Sequence, residues 1–233
     1  MGGSRIIEIS VETAEAAMAA ERGGAHRIEL CSNARDGGTT PSVELMRATR
    51  ARLQIKIFAM IRPRGGNFAY RADEFETMER QIETAKTLGM EGFVLGLVDA
   101  QRQVDVERTR HLVEAARPLP VTYHRAFDEC VDLQKSLEDV IETGAERLLT
   151  SGGRPTAIEA LETISDLVQL AGTRIIVMPG SGIHAGNIRE TVEITHAKEF
   201  HAGLSSVVVR PAENLGAFED SVRKLANALA ACG

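Results

Sequence analysis

Tryptophan is absent from the 233 residues, and only two tyrosines and seven phenylalanines occur. So small an aromatic share gives nucleobases no stacking platform, and no basic tract accompanies it, so a nucleic-acid partner is not expected. No apolar run reaches the about 18 residues that a membrane-crossing helix needs. The opening residues Met1, Gly2, Gly3 and Ser4 lead into Arg5 without the apolar core of a secretory leader. Cys31, Cys130 and Cys232 are odd in number and lack C-x-x-C spacing. That argues against a disulfide framework and fits a reducing cytosol. The expectation is a cytoplasmic protein, formal net charge −6, that binds neither membrane nor nucleic acid.

Alanine and the aliphatic residues are abundant, with 43% of the chain hydrophobic. Their spacing repeats one pattern eight times: a short apolar strand, a turn, then a helix. The strands are expected at 5–10, 26–31, 55–62, 92–98, 120–124, 147–151, 174–179 and 198–203. Helical periodicity follows at 11–22, 41–51, 72–88, 105–116, 132–143, 155–171, 184–194 and 217–230. Gly23, Gly24, Gly89 and Gly144 stand where left-handed helix caps are expected, and Asp73, Asp105 and Asp132 near helix starts. Alternating βα units with short links mean a parallel sheet. Eight of them, in a chain close to the roughly 250 residues typical of the fold, predict one (β/α)8 barrel over residues 1–233. An open, doubly wound sheet would need a glycine-rich turn after the first strand, and Ser10-Val11-Glu12-Thr13 has no glycine.

Strand parity then sorts the polar residues. Ile7 and Ile9, Ile28 and Leu30, Ile57 and Ile61, Val121 and Tyr123, and Phe200 suit a helix-facing layer. The opposite parity carries Glu8, Glu29, Arg62, His124 and His201, which should converge inside the carboxyl end of the barrel. Buried charges are costly unless paired, so this mixed-sign cluster is expected to form a paired site facing a ligand, at the end where barrels place active sites.

Several residues are candidates for chemistry there. Glu8, Glu29 and His124 are acid/base candidates, and Asp128 either orients His124, binds substrate or caps the next helix. Arg62 has a planar fork for a carboxylate or phosphate, or pairs with Glu29 across the barrel; Arg64 is a loop or gate residue. The turns at Ser151-Gly152-Gly153 and Gly180-Ser181-Gly182 offer backbone N–H groups to an anion, or are simply tight turns. They follow strands six and seven, one strand earlier than the usual phosphate loops. Cys31, Met60, Met178, His124 and His201 share the inward parity, so some of them suit soft Cu(I). Glu8, Glu29, His124 and His201 equally suit a harder divalent ion. No nucleophile elbow, Walker loop, H-E-x-x-H or dinucleotide fingerprint occurs.

These same blocks resemble the CutC family of copper-homeostasis proteins. The resemblance is carried by Ile28-Glu29-Leu30-Cys31-Ser32, by Asp36 to Ser42, by Met60-Ile61-Arg62-Pro63-Arg64-Gly65-Gly66 and by Pro120 to Asp128. Leu149 to Gly153, Val177 to Ile183 and Glu199-Phe200-His201 continue it in order, over about residues 6–211. It implies a cytoplasmic barrel assigned to copper handling, with Cys31 contacting Cu(I), and an oligomeric assembly; on the copper reading Met60, Met178 or a histidine would help Cys31, and on the enzyme reading His201 is a substrate-binding candidate. Ser181 stands where the family commonly has a third glycine, and Ala202-Gly203-Leu204 replaces a more polar stretch. A second thiolate has no obvious supplier, Cys130 being nearest by position. Two readings stay open: copper binding through Cys31, or an isomerase, epimerase, aldolase or lyase acting on a small phosphorylated or carboxylated metabolite.

Overall fold

A computed structural model describes residues 5–232, so the reading of Met1–Ser4 lies outside the described residues. Eight strands follow in order: β1 (Ile6–Val11), β2 (Arg27–Leu30), β3 (Lys56–Met60), β4 (Gly92–Leu95), β5 (Val121–Tyr123), β6 (Arg147–Thr150), β7 (Ile176–Pro179) and β8 (Glu199–Ala202). The helices between and after them are α1 (Ala14–Arg22), α2 (Val43–Arg50), α3 (Ala72–Thr87), α4 (Val106–Ala116), α5 (Leu133–Thr143), α6 (Leu161–Ala171), α7 (Ile188–Thr195) and α8 (Leu215–Ala230). Every strand pairing is parallel, in the order β7-β6-β5-β4-β3-β2-β1-β8. The sheet curls into a nearly closed barrel, and among the described residues the β7–β8 junction alone carries no backbone ladder.

Local chemistry sets the boundaries. The hydroxyl of Thr13 accepts from Ala16 N at 3.1 Å and starts α1 three residues later than the periodicity alone suggests. Asp105 and Asp132 cap α4 and α5 through their carboxylates. Asp73 sits inside the first turn of α3, where Arg71 holds the cap position. Gly24, Gly89 and Gly144 adopt positive φ, but Gly23 does not. Gly23 is required for space instead: a Cβ there would lie 2.7 Å from Val222 Cβ. The segment expected as one helix over 155–171 begins with a 3-10 turn at Ala157–Ala160, and α6 proper starts at Leu161.

The outward parity behaves as the strand pattern requires. Ile7, Ile9, Ile28, Leu30, Ile57 and Phe200 are fully buried between sheet and helices. Each contributes about 1.5–3 kcal/mol relative to exposure. Inside the barrel a separate small apolar cluster forms from Cys31, Phe58, Met60 and Val94. No helix among the described residues is long and apolar enough to cross a membrane.

Candidate functional site at the mouth of the barrel

The inward parity of β1, β2, β6 and β8 builds a chain of alternating charge through the barrel interior. At its base, Glu199 accepts from Arg147 Nε at 2.8 Å and from Arg27 Nη2 at 2.7 Å. Both guanidinium groups lie against the face of Phe58, at 4.7 Å for Arg27 and 5.6 Å for Arg147. Arg27 Nε also donates to Glu8, whose other oxygen accepts from His201 Nδ1 at 2.8 Å. His201 Nε2 then lies 3.7 Å from Glu29 Oε2. Strand register explains the succession, since Glu8 is level with Arg27 on β2 and with His201 on β8.

Such burial is tolerable only because each charge has an opposite neighbour. Burial alone would raise the Glu8 carboxyl, but Arg27 and His201 outweigh it and hold it down at about 2. Burial opposes a charged His201, yet Glu29 and the hydrogen bond from Glu8 raise it above its ordinary value. Burial raises Glu29, and the nearby Glu8 charge adds to that, against the pull of His201. Arg147, Arg27 and His201 match Glu199, Glu8 and Glu29 in charge. A proton can therefore sit on His201 or on Glu29 with no change in the total.

Above this chain opens a cavity of about 790 Å³. Glu29 and His201 form part of its floor, while Glu8 lies beneath, completely buried and off the cavity wall. Glu8 is thus corrected from an acid/base candidate to the group that orients His201. Across the cavity stands His124, on the wall supplied by β5. Its Nδ1 accepts from Ala126 N at 3.2 Å, which places the neutral ring's proton on Nε2. Burial, with Arg62 adding repulsion, pushes His124 down to about 3. Among the described cavity-lining residues, only Glu29 and His124 keep a buried side-chain N or O without a protein partner: Glu29 Oε1 and His124 Nε2.

Other expectations need correction. Arg62 does not face the cavity or pair with Glu29. The loops after β2 and β3 fold over it, and it donates to the carbonyls of Asp36 (2.7 Å), Gly38 (2.8 Å) and Gly66 (2.7 Å). Arg64 clamps its own loop through Glu74 and the carbonyls of Asn67 and Ala69. Asp128 neither touches His124 nor caps a helix: its carboxylate fills the turn after β6. It accepts from Thr150 Oγ1 at 2.5 Å, from Ser151 N and Gly153 N at 3.1 Å, from Ser151 Oγ at 2.9 Å and from Arg125 Nε at 2.8 Å. With Gly152 N donating to Thr150 Oγ1, the amides of Ser151, Gly152 and Gly153 are already in use. Gly180 N donates to Thr150 O, and its missing side chain leaves room for Leu149, whose Cδ1 would lie 2.4 Å from a Cβ. Ser181 and Gly182 do line the cavity. Arg27 and Arg147 were not singled out from the sequence, although Arg27 shares the parity of Glu29 and Cys31.

Copper, as cargo or cofactor, needs soft donors that converge. Cys31 and Met60 both reach the cavity. Met178 does not: it is buried and accepts from Arg27 at 3.5 Å. Cys130 is off the cavity wall and donates to Ala126 O. Burial and the Glu29 charge push the Cys31 thiol up to about 12, opposing the thiolate that binds metal. Among the described residues no three His, Cys, Asp or Glu side chains group to hold a metal ion. One hindered thiol and one thioether are a sparse set of soft donors for copper. Among the described residues that line the cavity there is no lysine to supply an amine for Schiff-base chemistry.

Comparison with known proteins agrees with the fold and names a family. The profile of the CutC family matches residues 5–206. A CutC family protein of Xylella fastidiosa is 46% identical over 217 residues, covering 93% of this chain and 80% of the relative. The mouse copper homeostasis protein cutC homolog is 44% identical over 205 residues, covering 88% and 75%. The crystal structure of a Streptococcus agalactiae protein assigned to CutC superposes with a TM-score of 0.81 at 32% identity, covering 85% of this chain and 98% of that one. A thiamine phosphate pyrophosphorylase from Pyrococcus furiosus shares the barrel fold alone, at 16% identity, a TM-score of 0.66 and coverage of 98% and 96%. The chain belongs to the CutC family.

Proposed function

We propose that the barrel mouth is an active site for proton transfer on a small phosphorylated or carboxylated carbonyl compound, as in an isomerase, epimerase, aldolase or lyase. One observation carries this reading: Glu29 Oε1 and His124 Nε2 are, among the described cavity-lining residues, the buried side-chain atoms left without a protein partner, and burial favours the neutral form of both groups. A free carboxyl oxygen and a free ring N–H on one cavity supply a proton acceptor and a hydrogen-bond donor to a bound ligand. Glu29 takes a proton from the carbon beside the carbonyl, and the electron pair moves toward the carbonyl oxygen. The neutral His124 Nε2–H donates to that oxygen as its charge grows. His201, held by Glu8, keeps its own proton beside Glu29 and so leaves Glu29 ionised to take the substrate's proton, which Glu29 later returns to the substrate.

The test is deuterium uptake. Small keto and aldehyde compounds bearing phosphate or carboxylate are incubated with the protein in D2O and followed by proton NMR. Uptake at the carbon next to the carbonyl is expected, and Glu29→Gln should slow it by about 10²–10⁴-fold. No uptake across the panel, or uptake unchanged in Glu29→Gln, would overturn the reading.

Copper binding is the competing reading, favoured by Cys31 and Met60 sharing one wall of the cavity. An anaerobic Cu(I) titration against a competing chelator decides it. Tight stoichiometric binding lost in Cys31→Ser supports it, and binding indifferent to that substitution removes it. Cytoplasmic location and homo-oligomer formation are proposals that rest on the family resemblance.

A further inference from the structure

The cavity wall is divided by charge. Its acidic residues, Glu12, Glu29, Asp128 and Glu129, all come from the β1, β2 and β5 segments. The segments after β6, β7 and β8 contribute no carboxylate of their own and one cation, Arg154, and the Asp128 carboxylate that reaches into the β6 turn is taken up by its hydrogen bonds there. No acidic side chain among the described residues forms a salt bridge with Arg154.

Two turns on this wall present backbone N–H groups that the protein does not use. After β7, Ser181 and Gly182 are consecutive left-handed residues, both at φ +75°. A serine rarely adopts that conformation. Here it is held by Ser181 Oγ donating to Pro155 O at 2.7 Å and by Ala157 N donating to Ser181 O at 3.0 Å. Neither the Ser181 nor the Gly182 N–H donates to an acceptor among the described residues. After β8, Leu204 adopts φ +58°, and its carbonyl accepts from both Val207 N and Val208 N. The amides and hydroxyls of Ser205 and Ser206 open that single turn, again without a protein acceptor or donor among the described residues. Both serines line the same cavity as Ser181 and Gly182.

The chain itself shows what such a turn holds. One strand earlier, the turn after β6 grips an oxyanion, the Asp128 carboxylate, with two amides and two hydroxyls. The turn after β7 repeats the device without a carboxylate of its own, and the β8 turn faces the same space. Successive N–H groups arranged in this way favour anions, and the loops after the seventh and eighth strands are where barrels commonly hold phosphate.

We propose that the turns Ser181–Gly182 and Ser205–Ser206, with Arg154, form a phosphate-monoester subsite that anchors the substrate across the cavity from Glu29. The inference rests on the active-site reading above and assigns its substrate class: phosphorylated rather than merely carboxylated compounds.

Binding is measured apart from turnover, by calorimetry and 31P NMR with inorganic phosphate and glycerol phosphate. The variants are Ser206→Asp and Arg154→Ala, both at exposed positions, with circular dichroism to confirm folding. Saturable binding is expected for the parent protein and for Glu29→Gln, weakened by roughly tenfold or more in Ser206→Asp. Arg154→Ala should weaken it less. Equal binding in parent and Ser206→Asp would overturn the subsite. So would no phosphate binding alongside binding of carboxylates, an outcome that leaves the proton-transfer reading intact. Phosphate binding that obeys these variants, with deuterium uptake indifferent to Glu29→Gln, would instead support the subsite and defeat the proton-transfer reading.

Discussion

The two sides of the cavity each hold a buried histidine, and they treat it in opposite ways. His201 lies between Glu8 and Glu29 and is raised; His124 has no carboxylate against it, faces Arg62 and Phe68, and falls to about 3. Both are buried, at 8% and 4% exposure, so burial does not distinguish them. Their neighbours do. A row of paired charges keeps one ring available as a cation, while an apolar face and a backbone amide fix the other as a neutral donor.

Cutting the ionic side should have the largest effect. Arg27→Met leaves Glu8 and Glu199 buried without their shared partner and should cost about 3–5 kcal/mol, read from urea or guanidinium unfolding. A loss below 1 kcal/mol would mean that the chain of charges is not coupled as its geometry indicates.

The neutral side is tested by acid. The folded value of His124 lies below its ordinary 6.5, so the unfolded chain takes up this proton first as pH falls. Native stability therefore drops below about pH 6.5, losing about 3 kcal/mol by pH 4 from this group, until the folded ring protonates near pH 3. His201 works in the reverse sense: its contribution is complete below 6.5 and is lost as pH rises through its higher folded value. His124→Gln should flatten the acid limb of a stability–pH curve, which His201→Gln should not do. An unchanged acid limb in His124→Gln would break the comparison.

A smaller effect belongs to the turn that separates the two sides from the β7 loop. Asp128→Asn weakens the charge-assisted bonds holding the β6 turn and should lower stability by about 1–3 kcal/mol in thermal or urea unfolding. Phosphate binding at the β7 and β8 turns should persist in that variant, which would separate the internally filled turn from its neighbour.

Much of this was legible in the chain. Parity alone set Glu8, Glu29, His124 and His201 inside the barrel, because residues two apart on a strand share a face. Arg27 carried the same signal, since 27, 29 and 31 are one parity, but a cation at a strand's first position is easily assigned to the loop before it. Arg62 shows the opposite limit. Parity turned it inward, yet its partners are carbonyls of Asp36, Gly38 and Gly66, from two loops whose path no strand pattern encodes. Asp128 likewise looked like a free carboxylate beside a histidine, and only the folded turn after β6 reveals that it is already enclosed.

The seam between β7 and β8 gives the mouth a thermodynamic character of its own. Among the described residues, seven junctions of the barrel are laced by backbone hydrogen bonds, and this one carries no backbone ladder. The turns at Ser181–Gly182 and Ser205–Ser206 stand above its two banks. A ligand gripped by both would fasten strands that the main chain leaves unlaced. Occupancy and barrel closure would then be a single equilibrium, and heat or denaturant would have to release the ligand before it could part the wall.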